Sequence, residues 1–510
     1  MNSRSRADLP ISGTSTATPG SRRPLGLVLV AVAVWLGCTG FWRPLAIPDE
    51  GRYVGVAWEI LRSHRWLVPT LDGMPFFHKP PLWYWLSAAS MSVLGPFEWA
   101  ARLPSLMAAT CTAGGLYVFL RRWVDEAHAL KTLVVLVTIP LYFGAAQYAN
   151  HDMLVAGLVS LAILAAAHAQ LLREAGGRYG GVLLAAYASA ALGSLTKGLI
   201  GGALPFLVIG AWALVTRRPR RLFVLAWWPG WTFYILITTP WILMVEAQYP
   251  RFLDYFFVDQ QFRRFAAGGF NNVRDWWFFG AALALLALPW SAWLLKSLVQ
   301  RKPSVAVSRD IGALMGSWFA VVLVFFSLPQ SKLVGYILPA LPPLAFLISR
   351  SIASSKVLRS SAAVAAAACL SIAIGVSIAS PHSAREAARF VRSELGAKDQ
   401  FLLLDRYVYD LEFYLRAEAP IPVVADWAAS SGDGWARELL DSASFDPRAG
   451  KRELLPVQGF TWPPCSGQTT WIFADPAAAS RHPWLGAPVY RDQELAVWRR
   501  GPSTQGTDCR

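Results

Sequence analysis

The sequence predicts an all-α polytopic membrane protein of about 11–13 transmembrane helices with a small C-terminal extracytoplasmic α/β domain. Three observations carry that fold class. Hydrophobic residues make up 55% of the 510 positions and charged residues only 15%, where a soluble chain carries about a quarter. Mean hydropathy is +0.37, and the apolar residues gather in long blocks such as 276–295 and 358–380. After residue 382 the composition changes abruptly to that of a water-soluble domain. A cytosolic enzyme and a secreted domain are both excluded.

From the N-terminus, residues 1–24 are rich in Ser, Thr, Pro and Arg and read as a disordered cytoplasmic segment. The run 25–42, LGLVLVAVAVWLGCTGFW, has no A-x-A cleavage site, and Trp35 stands where a lipoprotein signal would have Leu. It reads as a retained signal anchor. Further crossings fall near 101–120, 131–147, 152–172, 179–195, 198–215, 222–244, 276–295, 311–328, 333–349 and 358–380. With the N-terminus inside, the inner loops 1–24, 121–131, 173–178, 216–221, 296–309 and 350–359 collect 20 of the 47 Lys and Arg, led by TRRPRR at 216–221. Short basic loops stay cytoplasmic, so the C-terminus falls outside. The stretch 82–96 breaks that parity if it crosses, and reads as an interfacial or re-entrant helix.

The net charge of +15 belongs to those loops, and nucleic acid is a poor second reading. The abundant Trp, Phe and Tyr suit aromatic belts at both bilayer surfaces. The five Cys have no metal-ligand spacing; Cys38, Cys111 and Cys369 lie in apolar runs, and Cys465 and Cys509 either pair or stand as free thiols. In the tail 382–510, REAARFVRSEL reads as an amphipathic helix, with strands at 401–405, 421–426, 469–475 and 494–498. The membrane domain is bounded at 25–380, with a large outer loop at 43–81 and another at 245–275.

Polar residues are scarce in the spans and cluster on the outer side. IPDEGRY places Asp49 and Glu50 at a helix start, followed by Arg52 and Tyr53. FFHKPPLWYW sets His78 and Lys79 before two prolines, on an extended turn that cannot be helical at Lys79. Asp152 lies in ANHDM, where it could be only an N-cap, and Lys197 lies in LTKGLIGG. Arg263 and Arg264 close an aromatic-rich loop, which by itself reads as an interfacial helix; Lys332 and Tyr336 begin the span after SLPQ. Each has an ordinary reading as a cap, a snorkelling lysine or a lipid contact. Their shared side does not. Converging Lys and Arg suit a phosphate leaving group, and nearby carboxylates suit activation of a nucleophile or binding of a divalent ion, for which Asp49 and Asp152 are the candidates. No cofactor is required by the pattern. The ligand expected is a lipid-linked phosphate reaching the site sideways from the bilayer.

The ordered set IPDEGRYVGVAWEIL, WLVPTLDG, FFHKPPLWYWL and EWAARLPS, then TKG, Arg264–Phe265 and SKLVGYILP, resembles the aminoarabinose-transferase and protein O-mannosyltransferase-like superfamily over about residues 25–350. These are C-type, lipid-phosphosugar-dependent glycosyltransferases. The resemblance implies that Asp49 and Asp152 are catalytic. It implies further that Glu50, Arg52, Tyr53, His78, Lys79, Lys197, Arg264, Lys332 and Tyr336 bind the lipid phosphate or sugar. The expected partners are a polyprenyl-phosphate sugar donor and a lipid, glycan or protein acceptor in the bacterial inner membrane. One departure stands out. Aminoarabinose transferases commonly read F-E-K-P-P, and here His78 replaces the Glu, which puts the identity of the donor sugar in question. A transporter or flippase of lipid-linked sugar is the competing class; it would place ionisable groups at mid-membrane and repeat a half, and neither is seen.

Overall fold

The computed structural model describes residues 24–263, 272–300, 308–378, 383–460 and 469–501. Each of the eleven apolar blocks holds a helix or a helix pair. They are α1 (Leu25–Gly37), α4 (Glu98–Trp123), α5 with α6 (Glu126–Val137, Pro140–Ala146), α7 (His151–Glu174), α8 (Gly180–Lys197) and α9 (Ile200–Val215). They continue with α10 (Trp228–Gln248), α11 with α12 (Phe278–Leu286, Trp290–Gln300), α13 (Arg309–Ser327), a 3₁₀ turn with α14 (Val334–Ala340, Leu341–Ser349) and α15 (Ser355–Ile378). Among the described residues five helices are long and apolar enough to cross a membrane, and the pair α5–α6, bent by 72°, is a sixth if it forms one span. The others are shorter or broken. Pro140 starts α6 and Pro339 falls in the 3₁₀ turn, where a missing N–H interrupts the α-helical ladder.

Between α1 and α4 lie α2 (Asp49–Ser63), a small hairpin β1–β2 (Thr70–Leu71, Met74–Pro75) and α3 (Leu82–Leu94). At 13 residues, α3 is about 20 Å long, short of the roughly 30 Å bilayer core. It folds back on α4, with Ser87 and Ser90 hydroxyls donating to the carbonyls of Ala101 and Ala100.

Loops that the charge count puts on one side do meet. Arg221 bridges Glu174 at 2.8 Å and Asp310 at 2.9 Å, joining the ends of α7, α9 and α13, and Lys131 donates to the carbonyl of Ile352 at 2.9 Å. The other end of the bundle carries α2, α3 and the C-terminal domain.

That domain begins with α16 (Arg385–Glu394) and has a six-stranded mixed sheet, β3 (Gln400–Leu404), β4 (Val423–Ala425), β5 (Leu454–Pro456), β6 (Thr470–Ala474), β7 (Tyr490–Arg491) and β8 (Ala496–Arg500), ordered β5-β4-β3-β6-β8-β7. The four strands expected from the sequence are β3, β4, β6 and β8; β5 and β7 are the short edges. Pairings among β3 to β6 are parallel, and β8 runs antiparallel to both neighbours. Helix α17 (Leu411–Leu415) and helix α18 (Gly434–Ala443) lie on its flank. One apolar core runs from the first outer loop through α16 and α17 into this sheet, so the domain is docked on α2. The close approach depends on two glycines. A Cβ at Gly55 would stand 2.9 Å from the Tyr409 carbonyl, and one at Gly51 would stand 3.2 Å from the Asp410 amide.

Candidate active site

Helix α2 brings the first candidates together. Arg52 Nη2 donates to Asp49 Oδ1 at 2.5 Å, and its guanidinium lies 4.9 Å from the Tyr53 ring centre. The i,i+3 spacing of Asp49 and Arg52 puts both on one helix face. Burial pushes the Asp49 carboxyl above its usual range, Arg52 opposes that, and the charges of Asp152 and Glu438 add to it. A carboxylate raised in this way is a better base near neutral pH.

Glu50 faces the other way. It is fully buried, accepting from Arg43 Nη1 at 2.6 Å, from Arg102 Nε at 2.8 Å, and from the backbone amides of Ala46 and Ala149 at 2.9 and 2.8 Å. Burial alone would raise its pKa, but the two arginines outweigh that and hold it at about 2. No substrate reaches it, so its expected place among the binding residues is corrected: Glu50 fixes the loop after α1 to α4 and to the turn before α7. Adjacent residues on a helix point about 100° apart, and the sequence does not say which carboxylate turns inward.

Asp152, Lys197 and Tyr336 form the second group. Asp152 is not the cap of α7. Asn150 is, its Oδ1 accepting from the Asp152 amide at 2.9 Å. Asp152 Oδ1 is ion-paired with Lys197 Nζ, which lies 4.3 Å from the Tyr336 ring centre. A Cβ at Gly335 would stand 2.0 Å from Asp152 Oδ2, so only Gly lets the 3₁₀ turn press onto this carboxylate. Lys332 belongs elsewhere. Its Nζ donates to the carbonyls of Arg274 and Pro329 at 2.8 and 2.5 Å, tying two loops together.

His151 joins the two groups. It packs edge-on to Tyr53 and Tyr84, 4.6 and 4.8 Å between ring centres, and 5.3 Å from Trp83. The charges of Lys79, Lys197 and Arg52 all act on it. Sequence reading missed His151, although it adjoins Asp152 in the same motif.

His78 stacks on Phe76 at 4.5 Å, with Nε2 3.8 Å from Asp441 Oδ2. Burial lowers its pKa, Asp441 only partly opposing. Lys79 stands beside it in the non-helical turn before Leu82, as the two prolines require. Of the aromatics of the second outer loop, Phe252 and Phe256 are buried with Trp241 and Phe77, while Tyr249, Tyr255 and Phe257 are partly buried. Arg264, Cys465 and Cys509 lie outside the described residues, as does the expected segment 1–23.

Three contributors had no sequence signal. Glu438 and Asp441 come from α18 and Tyr409 from the turn before α17, all beyond the stretch that carried the motifs. Arg52 Nη1 is ion-paired with Glu438 Oε1, and the Tyr409 hydroxyl donates to Glu438 Oε2 at 2.8 Å.

The site does not fit a resident divalent ion. Asp49 and Asp152 are each paired with a cation, and among the described residues no three His, Cys, Asp or Glu stand together as a metal would need.

Residues 78–244 match the family described as dolichyl-phosphate-mannose-protein mannosyltransferase. The undecaprenyl phosphate-α-4-amino-4-deoxy-L-arabinose arabinosyl transferase 2 of Pseudomonas fluorescens strain Pf0-1 is 32% identical over 332 residues, covering 64% of this chain and 59% of its own length. The corresponding transferase of Pseudomonas aeruginosa strain LESB58 is 32% identical over 346 residues, covering 65% and 60%. The chain thus spans about three fifths of the length of these relatives. The crystal structure of ArnT from Cupriavidus metallidurans bound to undecaprenyl phosphate superposes with a TM-score of 0.76 at 24% identity, covering 93% of this chain and 97% of that one. By fold the chain is similar to that transferase over nearly its whole length, and by sequence to the aminoarabinose transferases over about two thirds of this chain.

Proposed function

We propose that the protein is a multi-pass glycosyltransferase of the bacterial inner membrane that moves a sugar from a polyprenyl (undecaprenyl) phosphate carrier to lipid A, a glycan or a protein on the outer face. The observation that carries the reading is the pairing of Asp49 with Arg52 and of Asp152 with Lys197 at the end of the bundle under the soluble domain. The relatives whose names specify undecaprenyl phosphate as carrier support the donor class. The distribution of basic loops supports an N-terminus in the cytoplasm and a domain from 382 to 510 in the periplasm.

The reaction is one inverting displacement. An acceptor oxygen attacks the anomeric carbon from the face opposite the carrier. The bond from that carbon to the phosphate oxygen breaks, and the electron pair leaves with the polyprenyl phosphate. Lys79, Lys197 and Arg52 offset the charge on the departing phosphate. Tyr53 and Tyr336 form the aromatic walls. A phosphate acceptor such as that of lipid A is already an anion and needs no base. A hydroxyl acceptor gives its proton to Asp49.

Reconstitution of the full chain in liposomes with labelled undecaprenyl-phosphate sugar tests the reading. Transfer by wild type and none by Asp49→Asn supports an enzyme. Carrier-linked sugar moved between leaflets without transfer, equally in both proteins, supports a flippase instead.

A further inference from the structure

Arg52 is held between two carboxylates from different domains, and the second holds it in a particular way. Asp49 takes one hydrogen bond from Nη2 through Oδ1, at 2.5 Å. Glu438, 386 residues later in the chain, takes Nη1. An arginine beside a lone carboxylate prefers a fork in which both Nη groups, or Nε and one Nη, grip both oxygens. Here Nη1 goes to Glu438 and the buried Nε donates to neither carboxylate, so Arg52 engages Asp49 through one oxygen. Asp49 stays 41% exposed, whereas the Arg52 and Glu438 side chains are each only 15% exposed.

Glu438 is itself fixed. The Tyr409 hydroxyl donates to its Oε2 at 2.8 Å, and the Tyr409 ring centre lies 5.8 Å from the Arg52 guanidinium. The Tyr409–Asp410 backbone rests on Gly51 and Gly55 of α2 with no room for a Cβ. The carboxylate of the soluble domain therefore stands at a set distance from the helix that carries Asp49.

We propose that Glu438 is a positioning residue for glycosyl transfer, holding Arg52 so that one oxygen of Asp49 remains available to the acceptor. The proposal rests on the reading of the Asp49 site as a transfer site. Glu438 touches neither sugar nor acceptor in this role and acts only through Arg52.

The test uses the full chain in liposomes, with undecaprenyl phosphate carrying 4-amino-4-deoxy-L-arabinose or mannose as donor, and lipid A or whole envelope extract as acceptor. Glu438→Gln lowers kcat by roughly 10- to 100-fold, the scale expected when a reacting group is misplaced by about 1 Å, while the donor KM stays nearly constant. Glu438→Asp recovers part of the loss. In an Asp49→Asn background, Glu438→Gln causes no further fall, because the group it positions is already gone. An unchanged kcat in folded Glu438→Gln overturns the proposal. So does a rise in KM alone, or an equal fall in both backgrounds. If Glu438→Gln does not fold, Tyr409→Phe, which frees only one oxygen of Glu438, carries the same test with a smaller loss confined to kcat. A wild type inactive on every donor and acceptor sinks the reading of the site and the proposal with it; an active wild type with an indifferent Glu438→Gln sinks the proposal alone.

Discussion

Asp49 and Glu50 are joined by one peptide bond, yet one carboxylate is 41% exposed beside a single arginine and the other is sealed between two. Their substitutions separate accordingly. Asp49→Asn should leave the protein inserted and folded while transfer falls at least about a hundredfold, the lower end of what a positioned base contributes. Retention of more than a tenth of wild-type transfer in liposomes contradicts the role. Glu50→Gln should instead cost stability, about 3–5 kcal/mol, because Arg43 and Arg102 are left with uncompensated buried charge. Thermal unfolding in detergent measures it, and an unchanged melting temperature refutes it. At position 78 the ring sits 3.8 Å from Asp441. If a carboxylate here selects a cationic sugar, His78→Glu shifts preference toward amino-sugar donors by roughly ten- to a hundredfold, the worth of a charged hydrogen bond of about 1.5–3 kcal/mol. Equal competition between amino and neutral donors before and after the change shows that position 78 does not read the sugar. At this scale the sequence was informative through the shared side of its polar residues, and the structure pairs Arg52 with Asp49 and Lys197 with Asp152. The sequence was silent on which way a side chain turns, as with Glu50 and Lys332.

Helix α2 shows how an element takes its orientation from both ends. Its start is fixed by the Glu50–Arg102 pair, and Arg102 also donates to the carbonyls of Gly40, Arg43 and Pro44 at 2.8–2.9 Å. Its end is fixed by Arg62, which pairs with Glu412 of α17 at 3.0 Å, and by Glu59, which accepts from the Asp72 and Gly73 amides at the β1–β2 turn. Near this interface burial pushes the Asp410 carboxyl up to about 7, against hydrogen bonds from Ser383 and Ala384. Glu412 is pushed up to about 8, by burial first and then by the charge of Glu59. Both acids bind a proton more tightly folded than unfolded. The stability linked to them is therefore complete below their ordinary values near 4 and is lost as pH rises through 7 to 8. Melting of the purified protein should fall by several degrees between pH 5 and pH 8, and Asp410→Asn should flatten that slope; a melting point that rises over this range excludes the assignment. Apolar runs, long in the membrane blocks and short in the tail, were enough to locate the helices and four strands. Docking through Gly51 and Gly55 was not legible, since each glycine is explained only by the backbone opposite it, more than 350 residues away.

Across the whole molecule, charge divides the loops into two sets, and the structure brings members of each set together: Arg221 with Glu174 and Asp310 at one end, Asp49, His151 and Asp152 at the other. Basic loops could be counted without any contact being known, which is why this partition was readable from composition. The proposed direction of the whole is tested by fusing alkaline phosphatase after Arg510, which should be active, while a reporter that folds only in the cytoplasm should stay dark. The reverse pattern places the C-terminal domain inside. The separation of 386 residues between Arg52 and Glu438 also has a meaning in time. At 5–20 residues per second, roughly 20 to 80 s pass between synthesis of the arginine and synthesis of its second partner. During that interval Arg52 has Asp49 within reach, three residues away on α2, but not Glu438. On the proposed role of Glu438, a growing chain gains a positioned Asp49 only once residue 438 has been made and its domain has docked on α2.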